Sequence, residues 1–459
     1  MKNRSIFYIL AILTVFIIAY IGTSEVPVRY SYLISLPLVQ GLLYLIEVPL
    51  IGNKRSNVAT ILVSMLTFVR YCVLPMLMVA SGYSSVLPLP SYICGNEAIL
   101  LMVYESFSIS IALILSNRKL VGSRMLMTQE TTNDKLISLF VLGGLVYCVL
   151  VASFVPNVQE IFRSIFDLAD ADFNMAIEEE FAVGSMLRAL RTLFTIVFNV
   201  IRIMLPIYII RYLISKRVKY VIIYGVIILL VVLQFLLITS TFAEAVVSTL
   251  VFLLAIVKID PKVGKTTMRA APILVSTIVF VYFYVRYTVQ ASMYNTSSSI
   301  VYMAEVVNAY FTGIDNVAGS MILSRDERFT YLMDSIITTI PFNTTLFGPR
   351  EVFMQTLFNT INGSQGQIPS TIGNGYFYFG FLLAPIFSFC FTYYSVYFSK
   401  RAECVSILWK YVAYTFISVV LSLAIAMYNE IITMSWINAW GLPLMIIAYI
   451  SKKKQPLYK

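Results

Sequence analysis

Histidine is absent from the 459-residue chain, and charged residues make up only 12% of it. The absence of histidine removes the usual general base and the commonest metal ligand. Any chemistry must therefore depend on arginine, carboxylates, tyrosine and backbone groups. The five cysteines form no CxxC pair, which excludes a thiolate metal site of that type and gives no disulfide framework. Because a soluble protein carries about a quarter charged residues, the composition excludes an ordinary soluble enzyme.

Long apolar runs alternate with short charged patches, a pattern typical of repeated membrane crossing. Apolar runs of about twenty residues predict an all-α, polytopic membrane protein with about twelve transmembrane helices. The predicted spans lie near 5–22, 31–51, 57–80, 98–116, 136–155, 189–213, 219–239, 243–259, 270–288, 371–397, 407–428 and 436–451.

The distribution of lysine and arginine predicts the orientation of these helices. If the N-terminus is cytoplasmic, the inward-facing segments hold 22 of the 33 basic residues, which is the positive-inside pattern. Both termini are therefore predicted to be cytoplasmic. The net charge of +10 follows from this topology. Nucleic acid is not an expected partner, because the basic residues form no aromatic-interleaved patch or basic domain.

This topology divides the chain into five parts. The first bundle of five helices covers 1–155, an external loop 156–188, central helices 189–288, a large external loop 289–370 and C-terminal helices 371–459. Long loops over a rigid helical scaffold are where function concentrates. We therefore expect the functional site in the large external loop, with amphipathic helices inside it.

Basic residues on the outer side are arginines without exception, whereas all fifteen lysines fall in inward-facing segments. The outward residues are Arg29, Arg163, Arg188, Arg325, Arg328 and Arg350, and Arg191 and Arg286 lie at the outer ends of their helices. The planar guanidinium group grips phosphate in a bidentate manner. Two interpretations are open: ion pairs with acidic loop residues, or binding of an anionic, phosphate-bearing substrate.

One short segment of the large loop has a local structural pattern. Ser324 followed by Glu327 matches a capping box, and apolar residues at helical spacing run from Phe329 to Ile340. The pattern predicts an amphipathic helix at the outer membrane interface. Arg325 and Arg328 would lie in its first turn, where free backbone N–H groups favour an anion. An ordinary surface turn is the alternative.

Four charged residues lie well inside predicted spans, away from their ends: Arg70, Arg202, Glu47 and Glu105. Charges within the bilayer are costly unless they are paired or face a cavity. We expect Arg70 and Arg202 to form ion pairs, with Glu47 and Glu105 as candidate partners. Asp170 and Asp172 match a short metal-binding pattern, but their loop is rich in acidic residues. A solvated acidic patch is the preferred interpretation, and no metal is predicted.

The stretch from Gln367 to Phe381, QIPSTIGNGYFYFGF, closes the large loop and opens the next span. It resembles the corresponding region of bacterial oligosaccharide repeat-unit polymerases, the Wzy-type O-antigen and capsule polymerases. The length, number of spans, cytoplasmic termini and dominant external loop also resemble that family and its relatives, the O-antigen ligases. The architecture implied is the GT-C-like one of these enzymes.

The resemblance implies an inverting glycosyl transfer without metal or cofactor, which joins undecaprenyl-diphosphate-linked repeat units at the outer face of a bacterial cytoplasmic membrane. Its partners would be these lipid-linked glycans, membrane lipid and a chain-length regulator protein. The diphosphate is assigned to Arg325, Arg328, Arg286, Arg350 and Arg191. Because histidine is absent, the general base must be a carboxylate, and the candidates are Glu327, Asp326, Asp334 and Glu244.

Tyr376 and Tyr378 would stack on sugar, with a place in the interfacial aromatic belt as the alternative. The sequence departs from the family where many relatives carry an Ser-x-Ser-Arg-like motif. Here the chain has Thr239-Ser240-Thr241-Phe242-Ala243-Glu244, without the arginine. Rival functions are a lipid-linked oligosaccharide flippase, which keeps its outer loops short, and another lipid-linked glycosyltransferase or ligase.

Overall fold

A computed structural model describes residues 3–52, 57–83, 95–118, 131–154, 185–236, 242–271, 299–348, 354–363 and 367–453, with isolated helical residues between 273 and 284. The described chain is almost entirely helical. The helices up to residue 259 are α1 (Asn3–Gly22), α2 (Ser35–Ile51), α3 (Val58–Phe68), α4 (Leu74–Ala80), α5 (Gly95–Arg118), α6 (Asp134–Phe154), α7 (Ser185–Ser215), α8 (Tyr220–Leu236) and α9 (Phe242–Ile259).

Residues 261–271 are also helical. The remaining helices are α10 (Ser299–Tyr310), α11 (Ile314–Met321), α12 (Arg328–Thr338), α13 (Asn343–Phe347), α14 (Met354–Ile361), α15 (Thr371–Phe379), α16 (Ile386–Cys404), α17 (Leu408–Leu423), α18 (Glu430–Trp436) and α19 (Leu442–Ile450). A π-helical turn, Val69–Val73, joins α3 to α4, and a second, Ile437–Gly441, joins α18 to α19.

The protein is an all-helical membrane protein in which seven described helices are long and apolar enough to cross a bilayer. They are Arg4–Gly22, Val28–Ile51, Val58–Ala80, Gly95–Arg118, Asp134–Phe154, Ala189–Ser215 and Glu430–Ile450, and Tyr220–Leu236 and Leu408–Leu423 are shorter apolar helices. The first six match the first six predicted spans in order. The total of twelve spans and the cytoplasmic termini stay predictions.

Backbone contacts bring together segments that the positive-inside pattern assigns to the same side of the membrane. The backbone N–H of Arg4 donates to the carbonyl of Gly52 at 3.0 Å. Two short antiparallel strands, β1 (Thr131–Thr132) and β2 (Lys452–Lys453), join the start of α6 to the end of α19. Two large apolar clusters form the core: one lies mainly among α1–α5, the other among α6–α9 and α17–α19.

The predicted span 371–397 is not one continuous helix. Gly380 adopts φ +80°, in the left-handed region, and ends α15, while α16 begins after Pro385. Since glycine favours this conformation and proline suits a helix start, the break follows from local chemistry. The hydropathy pattern missed it, because the residues on both sides of the break are apolar. The short helix α15 is buried along most of its length.

We expect Gly375→Ala to destabilise the protein by about 1–3 kcal/mol, because the added Cβ would collide with the carbonyl oxygen of Ala384. The measurement is the thermal unfolding midpoint of purified protein in detergent. Gly225→Ala in α8 is the matched control, because a Cβ there meets no heavy atom within 4 Å. Equal midpoints for the two variants would contradict the close approach of α15 to residues 380–385.

Candidate functional site

The helices α10 to α14, residues 299–363, pack over one end of the bundle, and we call them the cap. Helix α10 packs on α4, α11 on α5 and α15, α12 on α15 and α18, and α13 on α7. The segment predicted as a large loop is therefore folded onto the bundle helices along its described length. Residues 349–353 and 364–366 lie outside the described part.

Helix α12 is the amphipathic helix that the sequence predicts, but it begins later and without the capping box. The hydroxyl of Ser324 donates to Asp326 at 2.6 Å, and Glu327 is the N-cap residue without a side-chain capping bond. Arg328 lies in the first turn, whereas Arg325 precedes the helix. The prediction of a capping box was wrong because the Ser324 hydroxyl is bound to Asp326 in a local turn.

The outward face of α12 is apolar, and its inward face carries both polar and apolar side chains. Phe329, Met333 and Ile336 are exposed, whereas Asp334 and Ser335 are buried against α15 and α18. In a water-soluble protein the apolar face of a helix would point inward. The additional exposed apolar face of α12 suits a helix at the membrane interface, with that face against lipid.

Arg325 binds the C-terminal end of α15. Its Nε donates to the carbonyl of Phe377 at 3.0 Å, and its guanidinium lies over the ring of Tyr376 at 5.5 Å. A cation at a helix C-terminus is favourable because the last carbonyls are partly negative. The guanidinium of Arg328 lies 5.0 Å from the centre of the Phe329 ring, and its side chain forms no hydrogen bond or ion pair with any described residue.

The other predicted phosphate ligands are placed less completely. Arg286 and Arg350 lie outside the described residues, as do Asp170 and Asp172. Arg191 is half-buried near the start of α7, the helix that α13 of the cap contacts, and its Nε has no hydrogen-bond partner. The structure thus brings Arg325 and Arg328 together in the cap and gives no direct contact between them and Arg191.

The predicted bases differ in their surroundings. Glu327 is exposed at the start of α12, and Asp326 is exposed beside it. Asp334 is buried, facing the bundle. Glu244 is buried in an ion pair with Arg202, at 3.4 Å between Oε2 and Nη1. That pair favours a structural role for Glu244 and corrects the expectation that Arg202 would pair with Glu47 or Glu105.

The two tyrosines predicted to contact sugar also differ. Tyr376 is half-buried beneath the Arg325 guanidinium. Tyr378 is 1% exposed, and its hydroxyl lies 2.8 Å from the hydroxyl of Ser335 in α12. Its ring packs among Phe377, Phe379 and Phe387. In this structure Tyr378 therefore fastens the cap to α15, and its ring is not available to stack on a sugar.

The expected pairing of Arg70 forms. Its Nη1 lies 3.0 Å from Oε2 of Glu105, and neither side chain is exposed. The same carboxylate accepts hydrogen bonds from the hydroxyls of Tyr71, at 2.8 Å, and Ser388, at 2.5 Å. Arg70 also donates to the carbonyl of Ile425. Glu47, which was the other candidate partner, instead accepts from Ser110 at 2.6 Å.

Residues 424–429, which connect α17 to α18, are largely buried. Their backbone carbonyl groups accept hydrogen bonds from side chains elsewhere in the fold. We call these residues the buried connection. Besides Arg70, Thr312 donates to Ala426 at 3.2 Å, and Thr371 lies 2.7 Å from the carbonyls of both Ala424 and Tyr428. The cap, the π-turn and α15 thus meet at one connection.

Comparison with known protein families, curated proteins and solved structures found no match to this chain. Function is therefore inferred from the residues and their geometry.

Two buried carboxylates were not among the predicted site residues. Asp315 in α11 accepts from the hydroxyl of Tyr30 at 2.6 Å and lies 3.8 Å from Arg29, which favours the ion-pair interpretation for that outward arginine. Glu430 begins α18 and accepts from the amide of Asn374 at 2.8 and 3.0 Å. A usable signal existed for Glu430, because an ionisable residue at the edge of a span marks a functional position by default.

We expect Glu105→Gln to destabilise the protein by about 3–5 kcal/mol, because it leaves the fully buried Arg70 without a counter-charge. The readout is the thermal unfolding midpoint in detergent. Asp134→Asn is the matched control: it breaks the partly exposed pair with Arg211, at 2.9 Å, and should cost about 0–1 kcal/mol. A Glu105→Gln midpoint equal to that of the control would show that the buried pair contributes little.

Proposed function

We propose that this protein polymerises oligosaccharide repeat units carried on undecaprenyl diphosphate, at the outer face of a bacterial cytoplasmic membrane. The observation that carries the proposal is the position of α12. This helix exposes apolar side chains, begins at an arginine and is docked over α15 and α18. At the membrane interface such a helix would lie at the depth of a lipid-borne diphosphate, between acyl chains and water.

Arg328 is the residue best suited to bind the diphosphate. It is half-buried, lies in the first turn of α12 and is not engaged by a carboxylate among the described residues. Arg325 has its Nε bound to α15, which fixes its guanidinium beside the same helix start. As the bond to the sugar breaks, negative charge grows on the diphosphate, and positioned guanidinium groups stabilise that charge.

A flippase is less well supported. It needs a charged passage through the bundle, but Arg70 and Arg202 are each paired with a glutamate. A cavity of about 320 Å³ beside Arg202, between α6, α7 and α8, is lined almost entirely by apolar side chains. The cap is also larger than we expect for a flippase, which keeps its outer loops short. A lipid-linked ligase would share the architecture, and it differs in the acceptor that receives the glycan.

Deletion of the gene should leave single repeat units on their lipid carrier at the outer face, with no polymer. The measurement is mass spectrometry of lipid-linked glycans, with accessibility to an enzyme added outside spheroplasts to report their side. Units stranded inside would indicate a flippase. Polymer on the lipid carrier that is not transferred onward would indicate a ligase. Either result would overturn the proposal.

Arg328→Ala should abolish chain extension with little effect on the amount of folded protein, because the side chain makes no hydrogen bond or ion pair with the described residues. Arg325→Ala should lose both extension and some stability, because its bond to Phe377 is removed. Arg211→Ala, which removes a partly exposed arginine from α7, is the matched control. The readout is polymer length on gels beside the protein level. Normal polymer in Arg328→Ala would exclude the diphosphate role.

A further inference from the structure

Glu430 lies in a cluster of polar side chains at the start of α18, which packs against α12. It is 7% exposed, and both of its carboxylate oxygens accept from the Nδ2 of Asn374. The hydroxyl of Tyr378 lies near this carboxylate. Amide and hydroxyl groups therefore surround Glu430, and it forms no ion pair with any described lysine or arginine.

Three neighbouring polar atoms have no hydrogen-bond partner. They are Oδ1 of Asn374, Nδ2 of Asn429 and Oγ1 of Thr433, and each belongs to a side chain that is at most 1% exposed. An unpaired buried donor or acceptor is costly. Asn374 contacts Glu430, Asn429 precedes it in the chain and Thr433 lies in the same helix, so the three unpaired atoms indicate groups that a ligand satisfies. Acceptors and donors occur together, which matches the hydroxyl groups of a sugar better than an anion or a metal ion.

Three other buried carboxylates of the described chain are held by arginine, whereas Glu47 accepts from the hydroxyl of Ser110. Glu105 faces Arg70, Glu244 faces Arg202 and Asp315 faces Arg29. Those pairs are structural, since each arginine neutralises its carboxylate. The oxygens of Glu430 are not neutralised in this way, so they remain able to accept a proton.

The cap connects Glu430 to Arg328, the residue proposed to bind the diphosphate. The hydroxyl of Ser335 in α12 contacts Tyr378 at 2.8 Å, and Asn438 donates to the carbonyl of Thr339 at 3.0 Å. Seven residues separate Ser335 from Arg328, so the two lie about 10 Å apart along the helix axis, at ~1.5 Å per residue. That spacing leaves room for the reacting sugar between a leaving diphosphate and a base.

We infer that Glu430 is the general base of the transfer, and that Asn374, Asn429 and Thr433 bind the acceptor sugar; the inference rests on the proposed function. The acceptor hydroxyl gives its proton to the Glu430 carboxylate as its oxygen bonds to the anomeric carbon of the donor. The bond from that carbon to the diphosphate oxygen breaks, and the diphosphate leaves with the electron pair. Glu430 then releases the proton to water.

The variant Glu430→Gln tests this role, because glutamine keeps the size of the side chain and an oxygen that accepts from Asn374. We expect polymer formation in isolated membranes to fall by at least ~100-fold, with single lipid-linked units still displayed outside and the unfolding midpoint unchanged. Glu47→Gln is the matched control, since Glu47 is a buried carboxylate of α2 that accepts from Ser110 and lies outside this site, and it should retain extension. Wild-type polymer with Glu430→Gln would overturn the inference.

A second variant tests the inference if the Glu430→Gln variant fails to fold. Glu430→Asp keeps the carboxylate but withdraws it by one methylene, so a base should lose rate and show an altered dependence of rate on pH. A merely structural glutamate would leave the shape of that profile as in the wild type, which would overturn the inference. The deletion strain distinguishes failure of this inference from failure of the proposed function. Single units stranded at the inner face would rule out both. Normal polymer formation by the Glu430→Gln variant would rule out only the role of Glu430 as the base.

Discussion

The pairing of Arg70 with Glu105 is the constraint on which the arrangement of the bundle depends. A guanidinium group inside a membrane protein is tolerated only with a partner for its charge and for its donors. Glu105 supplies the charge, at 3.0 Å, and the carbonyl of Ile425 accepts from the same nitrogen. The π-helical turn at Val69–Val73 places the arginine where both partners can reach it.

Through this pair the N-terminal helices hold the C-terminal ones in register. The buried connection would expose unpaired carbonyl groups to an apolar interior if Arg70, Thr312 and Thr371 did not bind them. Because it is held in place, Glu430 follows it at a defined position beneath the cap. The position of the proposed acceptor site is thus determined by side chains from α15, from the cap and from the π-turn.

Hydropathy was sufficient to predict the first six long helices, since long apolar runs have few other stable structures in lipid. It did not predict the break at Gly380, because a buried half-helix has the same composition as a membrane span. Glu430 was missed for a related reason: it was assigned to a short connection between two spans, whereas its burial depends on the cap folding over it. The partner of Arg202 is determined by tertiary packing, so it could not be predicted from the positions of charged residues in the sequence.

The long sequence separation between Arg70 and its partners has a consequence for synthesis of the chain. Glu105 emerges from the ribosome 35 residues after Arg70, but Ile425 follows 355 residues after it. The ion pair can therefore form while α5, the fourth candidate span, enters the bilayer, and it shields the cation through the rest of translation. The hydrogen bond to Ile425 waits for the last helices, so bundle closure is a late step of biogenesis, and truncated chains would expose an arginine that lacks this bond to quality-control proteases.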